Sequence, residues 1–574
     1  MKSLFRAIGF LLVFAAGAHG ASLGMISGTV KGPDGSPFKG AFVRAQNEKT
    51  RITTIVLSDD QGQYRVPDLP AGEYQVRAVA VSYKSDPQTG VKVDAAQPAS
   101  VNFALQKGTV RWSDLSIHQS QVLLPEDPGK SVLFTRCMSC HGIQTKIAGT
   151  RRDEDGWRAC VALMRDLAGG VGDPRITDED REKLAPYLSK VFGLEGDFPR
   201  SPSQLPAYEK AKHAEFSDEA LKMVYVDYEL PGPNRIPWDA NPTPNKKENI
   251  WLAFGWTANR IANLNPETGN IQEWNTLPPV FQRRAMHVHS VIQAPDGTVW
   301  FVEDTQCRLS KFDPETQKIT AYQPPSCKQS ATAPGVAGLS LQGGGSVRMD
   351  RLGNVWVNGG NLWRFDPKSE KFTEFPEGGH AYSLELDPKE GNVWFAQLEE
   401  GKIGMVDIKT LKLTRWTPPT SAKLAAMNKD YPDEVGNTQT HPKSSGPRRI
   451  TPDSNGIIWF GEWWAGQIGR FDPKTQSFQE FPLPDPDPTP YGLGVDRSGY
   501  VWYSSYDDDI LGRLDPKTGA VVEFPFPYSG NGIRELIPDA EGRMWFGTPF
   551  NNKVGYFIPP DAKPAQTARA SNSN

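Results

Sequence analysis

Gly456-Ile457-Ile458-Trp459, followed by Asp472-Pro473-Lys474-Thr475 and then Phe478-Gln479-Glu480-Phe481-Pro482, is the stretch that decides the fold of most of this chain. It reads as a turn, an apolar strand ending in tryptophan, a second turn, and a strand of alternating character. The first element recurs at Asp296-Gly297-Thr298-Val299-Trp300, Gly353-Asn354-Val355-Trp356, Gly391-Asn392-Val393-Trp394, Gly499-Tyr500-Val501-Trp502 and Gly542-Arg543-Met544-Trp545, with Asn249-Ile250-Trp251 as a degenerate first copy. The second recurs at Asn265-Pro266, Asp313-Pro314, Asp366-Pro367, Asp407-Ile408 and Asp515-Pro516. Seven tryptophan strands with two turns per unit describe four-stranded blades. The seventh copy stops at Phe557-Ile558-Pro559, before its last turn and strand. The detached strand Val224-Tyr225-Val226-Asp227-Tyr228-Glu229 supplies what is missing and closes a ring. A seven-bladed β-propeller over residues 219–560 is therefore expected.

Upstream stands Cys137-Met138-Ser139-Cys140-His141, the C-x-x-C-H signal for covalent attachment of a c-type haem. The two thiols add to the porphyrin vinyl groups, and His141 is placed to ligate the iron from the proximal side. Residues 131–136 form a short helix that delivers the cysteines. Trp157, Val161 and Met164 share one helical face, and Thr177 with Asp180 caps a second helix carrying Leu184, Leu188 and Val191. Helix, signal, middle helix and closing helix over residues 120–197 resemble a small mono-haem cytochrome c domain. Met164, 23 residues after His141, is the expected distal ligand, with His118 and His213 as alternatives. One covalent haem c is the expected cofactor, held by Cys137, Cys140, His141 and Met164, the last two on the iron.

The first twenty residues carry Lys2 and Arg6, an apolar run from Ala7 to Ala18, and Ala18-His19-Gly20, and read as a secretory signal peptide. That run is too short to cross a bilayer and no other stretch is apolar enough, so no membrane span is expected. A periplasmic or secreted location suits haem attachment. It also suits a disulfide between Cys307 and Cys327, leaving Cys160 as an odd buried thiol. The net charge of −4, with both signs mixed throughout and no basic run, argues against a nucleic-acid surface. Residues 561–574 read as a disordered tail.

Residues 24–107 alternate as short strands do. Gly28-Thr29-Val30, Asp60-Gln61-Gly62-Gln63-Tyr64 and Pro70-Ala71-Gly72-Glu73-Tyr74 resemble the carboxypeptidase regulatory-like domain, which implies a seven-stranded β-sandwich serving as a docking module or binding a glycan. The whole chain is thus read as multidomain and mainly β: a sandwich, a small α-helical cytochrome c domain and a seven-bladed propeller.

The propeller repeat resembles the virginiamycin B lyase (streptogramin lyase) family, best in Trp459-Phe460-Gly461-Glu462-Trp463-Trp464-Ala465-Gly466-Gln467-Ile468-Gly469-Arg470. The resemblance implies catalytic residues in Pro-His-Gly/Ala-Ile phrases and a bound magnesium ion. The corresponding phrases here are Pro447-Arg448-Arg449-Ile450 and Pro490-Tyr491-Gly492-Leu493, with arginine and tyrosine in place of histidine. An arginine does not deprotonate at ordinary pH and cannot shuttle the proton of an elimination.

The loops on one face group Trp238, His287, His289, His380, Arg448, Arg449, Tyr491 and Arg534 with Glu303, Asp304, Glu462, Trp463 and Trp464. His289, Arg448, Tyr491 and Glu462 are the candidate catalytic residues at this mouth, and His287 and His289 alternate in a strand, as a metal-holding pair would. The segment 419–446, with His441, is expected to be a lid. The leading functional expectation is periplasmic electron transfer with a redox partner protein, the mouth binding the small-molecule substrate of an oxidoreductase. A scaffold propeller with a haem relay, or a lyase with an altered site, are the alternatives.

Overall fold

The computed structural model describes residues 23–138, 142–168, 176–244, 249–255, 258–278, 288–330, 345–389, 391–429, 444–485 and 487–560. The expected signal peptide, Cys140, His141, His287, His441 and the C-terminal tail lie outside the described residues.

The architecture is mainly β. Strands from Gly24 to Lys107 form two facing layers, one built on Gly24–Lys31 and Gln63–Leu69, the other on Thr53–Leu57, Phe42–Asn47 and Gly72–Ala80. Their inward residues, among them Ile26, Val43, Val66 and Val76, make one apolar core. Ten short strands appear where the resemblance implies seven, because the chain beyond Tyr83 pairs mostly in two-residue pieces.

Six four-stranded antiparallel sheets follow in propeller-like succession, and a seventh set of four strands forms one end of a ten-stranded sheet. Their innermost strands are Pro237–Pro242, Val288–Gln293, Val347–Met349, Ser383–Leu386, Pro447–Pro452, Pro490–Val495 and Ile537–Pro538, each packed beside the next, with the last beside the first. The fourth strand of the last sheet is Val224–Glu229, antiparallel to Lys553–Ile558 with Tyr225 opposite Phe557. The same strand pairs on its other edge with Thr53–Leu57, so sandwich and last blade share one continuous sheet.

The repeat has a clear physical basis. In four sheets an aspartate opens the turn, accepts backbone N–H groups, and takes the indole N–H of the tryptophan six residues on: Asp350 from Trp356 at 2.7 Å, Asp453 from Trp459 at 3.2 Å, Asp496 from Trp502 at 2.7 Å and Asp539 from Trp545 at 2.7 Å. The turn glycine between them adopts a φ of 81° to 87°, a conformation side chains disfavour. Each of these tryptophans is almost wholly buried between neighbouring sheets.

Between sandwich and propeller-like sheets lies a helical unit. It comprises Ile117–Leu123, Pro128–Val132 continuing as a π-helical turn over Leu133–Cys137, a second such turn over Gln144–Ala148, and the helices Glu154–Ala168 and Asp178–Phe192. Thr177 caps the last helix through the N–H of Asp180, which returns a carboxylate to Thr177. Trp157, Val161, Leu184, Leu188 and Val191 face its core, which extends beyond 120–197 to Trp112 and Tyr208. Cys307 and Cys327 are disulfide-bonded, and Cys160 is half-buried rather than buried. Among the described residues, no helix is long and apolar enough to cross a membrane.

Candidate functional site

In each of the first six sheets the residue after the tryptophan pairs with one residue of the innermost strand, for example Leu252 with Ala240, Phe395 with Leu384 and Tyr503 with Leu493. Counting two residues back from that partner, sheet by sheet, gives Trp238, His289, Gly345, Tyr382, Arg448 and Tyr491, and the seventh register adds Arg534. One mouth position per sheet is therefore aromatic or cationic in six cases. Gly345 is the exception, because a side chain there would meet Val302 at 2.9 Å and His289 at 3.2 Å.

These side chains form a single network. The Tyr382 and Tyr491 hydroxyls share a short hydrogen bond. Arg448 Nη2 donates to Tyr382 at 2.9 Å, and Arg534 Nη1 donates to Tyr491 at 2.8 Å. The Arg448 guanidinium lies 3.7 Å from the Tyr491 ring centre and 3.9 Å from that of Trp463, a close cation–π sandwich. Arg534 lies 3.8 Å over Trp238, which stacks on His289. Arg449, one residue deeper, is paired with Glu535 at 2.8 Å and donates to the Arg534 carbonyl.

Three buried guanidiniums near two phenols set the electrostatics. Burial works to raise the Tyr491 pKa, yet Arg448, Arg534 and Arg449 outweigh it and bring the phenol down to about 8. Tyr382 moves the other way, raised chiefly by burial. Burial pushes the nearby carboxyls of Asp509 and Glu535 up to about 7, with Arg449 pulling Glu535 the other way.

Not every expected residue joins this network. His289, Arg448, Arg449, Tyr491, Arg534, Trp238 and Trp463 do. Glu462 is fully buried behind it, accepts a hydrogen bond from Gln467, and is pushed up by burial to about 7. Glu303 is bound by Arg308 and by Ser310 at 2.6 Å. His380 is exposed, at a φ of 57°. Tyr382 and Tyr506 were missed. The register signal for Tyr382 was present, since it starts the fourth sheet where Arg448 starts the fifth, but without a proline to mark the phrase. Tyr506 follows the second strand of the sixth sheet, in the place that Trp463 holds in the fifth.

The mouth is not an open funnel. Tyr382, Trp463, Tyr491 and Tyr506 belong to the same apolar cluster as Ile117, Met138 and Ile143 of the helical unit, which covers them. Gln144 fixes the cover by donating to Asp509 at 3.2 Å and to the Leu115 carbonyl at 2.9 Å, and the His118 N–H donates to the Asp507 carbonyl. A cavity of about 610 Å³ remains between them, lined by His118, Phe134, Met138, Lys423, Trp463 and Trp464, among others. Lys423 lies on the short helix Ala422–Asn428, within the segment expected to be a lid. Cys137 and Met164 pack against the same cluster. His213 is engaged elsewhere, 3.2 Å from Glu523.

Residues 25–106 match the model of the carboxypeptidase regulatory-like domain. Residues 415–563, spanning the last three sheets, match that of the virginiamycin B lyase family. The sandwich thus resembles the first family and the last three sheets resemble the second. Among solved structures, a streptogramin B lyase is 19% identical and aligns over 58% of this chain and 96% of its own, with a TM-score of 0.45. The virginiamycin B lyase of Staphylococcus aureus, at 20% identity, aligns over 58% and 98%, with a TM-score of 0.44. The hydrazine synthase of Kuenenia stuttgartiensis, at 11% identity, aligns over 58% and 98%, with a TM-score of 0.43. No curated protein matches the chain.

Proposed function

We propose that this is an exported c-type haem protein of periplasmic electron transfer, and that the mouth of a closed seven-bladed propeller binds an anionic small molecule as the substrate of an oxidoreductase. The observation that carries this reading is the convergence of Arg448, Arg449 and Arg534 around the Tyr382–Tyr491 pair, beneath a helical unit that brings Cys137 and Met164 to one core. A c-type haem supplies one-electron redox chemistry. Cys137 and Cys140 would hold it by thioethers, with His141 and Met164 as the residues to ligate its iron.

Arg448 and Arg534 neutralise and orient an anion through charged, directional hydrogen bonds. Tyr491, with its pKa near 8, takes or returns a proton close to neutral pH. Arg449 is paired with Glu535 through Nη1 and adds its positive field. Trp463 and Tyr506, with ring centres 5.4 and 5.5 Å from that of Tyr491, exclude water on the side toward the helical unit. Arg448 cannot take the proton that a streptogramin elimination removes, which weighs against the lyase reading.

The test starts with protein from cells competent for cytochrome c maturation, run on a denaturing gel and stained for haem. A full-length stained band is expected, and a colourless one overturns the haem assignment. Anionic reduced metabolites are then added to the ferric protein. One class is expected to reduce it, at a rate lowered by about 100-fold in the Arg448→Gln/Arg534→Gln variant, with an unchanged haem spectrum. Equal rates in variant and wild type place the substrate elsewhere.

A further inference from the structure

Away from the mouth, a second cluster of ligating groups joins the linker to the outer edges of two sheets. His213 follows the short helix Tyr208–Ala211, Asp485 follows the last strand of the fifth sheet, and Glu523 lies in the outer strand Val521–Pro525 of the sixth. His213 Nε2 lies 3.2 Å from a Glu523 oxygen and 3.9 Å from an Asp485 oxygen, and one ligand atom from each residue falls within 4.8 Å of the others. Ligands about 2.1 Å from a tetrahedral metal stand about 3.4 Å apart, so these spacings need little adjustment to close on an ion.

The imidazole is oriented for ligation. Its Nδ1 lies 2.7 Å from the Ala214 carbonyl, which fixes that nitrogen as the N–H donor and turns the Nε2 lone pair toward the carboxylates. The ring stacks on Phe216, with centres 4.4 Å apart and planes 9° apart. Buried polar atoms at this point call for a further partner. Among the described residues, Asp485 Oδ2, Glu523 Oε1 and the Tyr503 hydroxyl have no hydrogen-bond partner, and Tyr503 is fully buried in the field of Glu523, Asp485 and Asp508. Asp508, held by Ser505 at 2.7 Å, adds a third carboxylate beside the pair. A divalent ion between the facing carboxylates would give these oxygens a partner and offset their charge.

We propose that His213, Asp485 and Glu523 bind a divalent transition-metal ion that fastens the linker, and with it the helical unit, to the fifth and sixth sheets. The imidazole favours zinc over calcium or magnesium. Nothing in this inference depends on the chemistry of the mouth.

The chelator-treated holoprotein is titrated with Zn²⁺ alone by calorimetry, and its melting and the proteolysis of residues 205–222 are followed with and without the ion. Wild type is expected to bind one more equivalent than Glu523→Gln or Asp485→Asn, to melt higher with Zn²⁺, and to be cut more slowly in the linker. Each variant is compared with its own chelated form, so a general loss of stability does not mimic the result. Equal stoichiometry in wild type and both variants, or wild-type melting indifferent to Zn²⁺, overturns the metal site and leaves an imidazolium–carboxylate cluster only.

Discussion

Arg534 reaches from the seventh sheet to Tyr491 of the sixth, its Nη1 donating to the phenol oxygen at 2.8 Å. Arg448 lies across the same ring, so Tyr491 is clasped between two guanidiniums. The phenol is consequently stabilised as its anion despite complete burial. Near-ultraviolet titration should show one phenolate appearing near pH 8, absent from Tyr491→Phe and shifted upward in Arg534→Met. A wild type with no phenolate until the ordinary tyrosine range would contradict the electrostatic account.

The fold was legible because its signals are local and repeated. The turn glycine, the aspartate and the tryptophan sit within a few residues of one another, and Val224–Glu229 showed the apolar alternation of a strand with no partner nearby. The site was harder to read, because its members come from different sheets and only the register aligns them. Arg448 and Tyr491 were visible through their prolines, whereas Tyr382 had none. The covering of the mouth was illegible, since contacts such as Gln144 with Asp509 join residues hundreds of positions apart, each unremarkable in its own segment. Glu462 is polar and lies in the right phrase, and its strand turns it into the core toward Gln467.

Gln144 is the most exacting link between the helical unit and the sheets. Its amide donates to Asp509, whose oxygens also receive the N–H groups of Gly530 and Asn531 at 2.7 and 3.0 Å. Gln144→Leu removes the donor but leaves the buried acceptor, a loss of about 1–3 kcal/mol. Limited proteolysis should cut the helical unit faster in this variant while the sheets stay resistant. An unchanged cleavage pattern would show that apolar packing alone holds the cover.

Met164 packs on the same core as Cys137 and is half-buried. If it ligates the haem iron, the ferric protein should carry the weak near-infrared band of methionine ligation, and Met164→Ala should abolish it and lower the potential. Retention of the band in Met164→Ala would reassign the ligand. A bis-histidine spectrum would turn attention to His118, which lines the cavity with Phe134 and Met138.

Glu462 gives the clearest dependence of stability on pH. Burial raises its pKa from 4.5 to about 7, so between those values the folded protein holds a proton that the unfolded chain has lost. Stability from this group is therefore greatest in acid and declines as pH rises from 4.5 toward 7, by up to about 3 kcal/mol. Glu462→Gln keeps the shape and still accepts the hydrogen bond from Gln467, but has no charge to bury. Relative to wild type, the variant should gain little in melting temperature at about pH 5 and several degrees at about pH 8. The comparison between variant and wild type isolates this carboxyl from Asp485, Asp509 and Glu535, which burial raises in the same direction. An equal difference at both pH values would mean that Glu462 keeps its charge in the folded protein, with a cation or water beside its second oxygen.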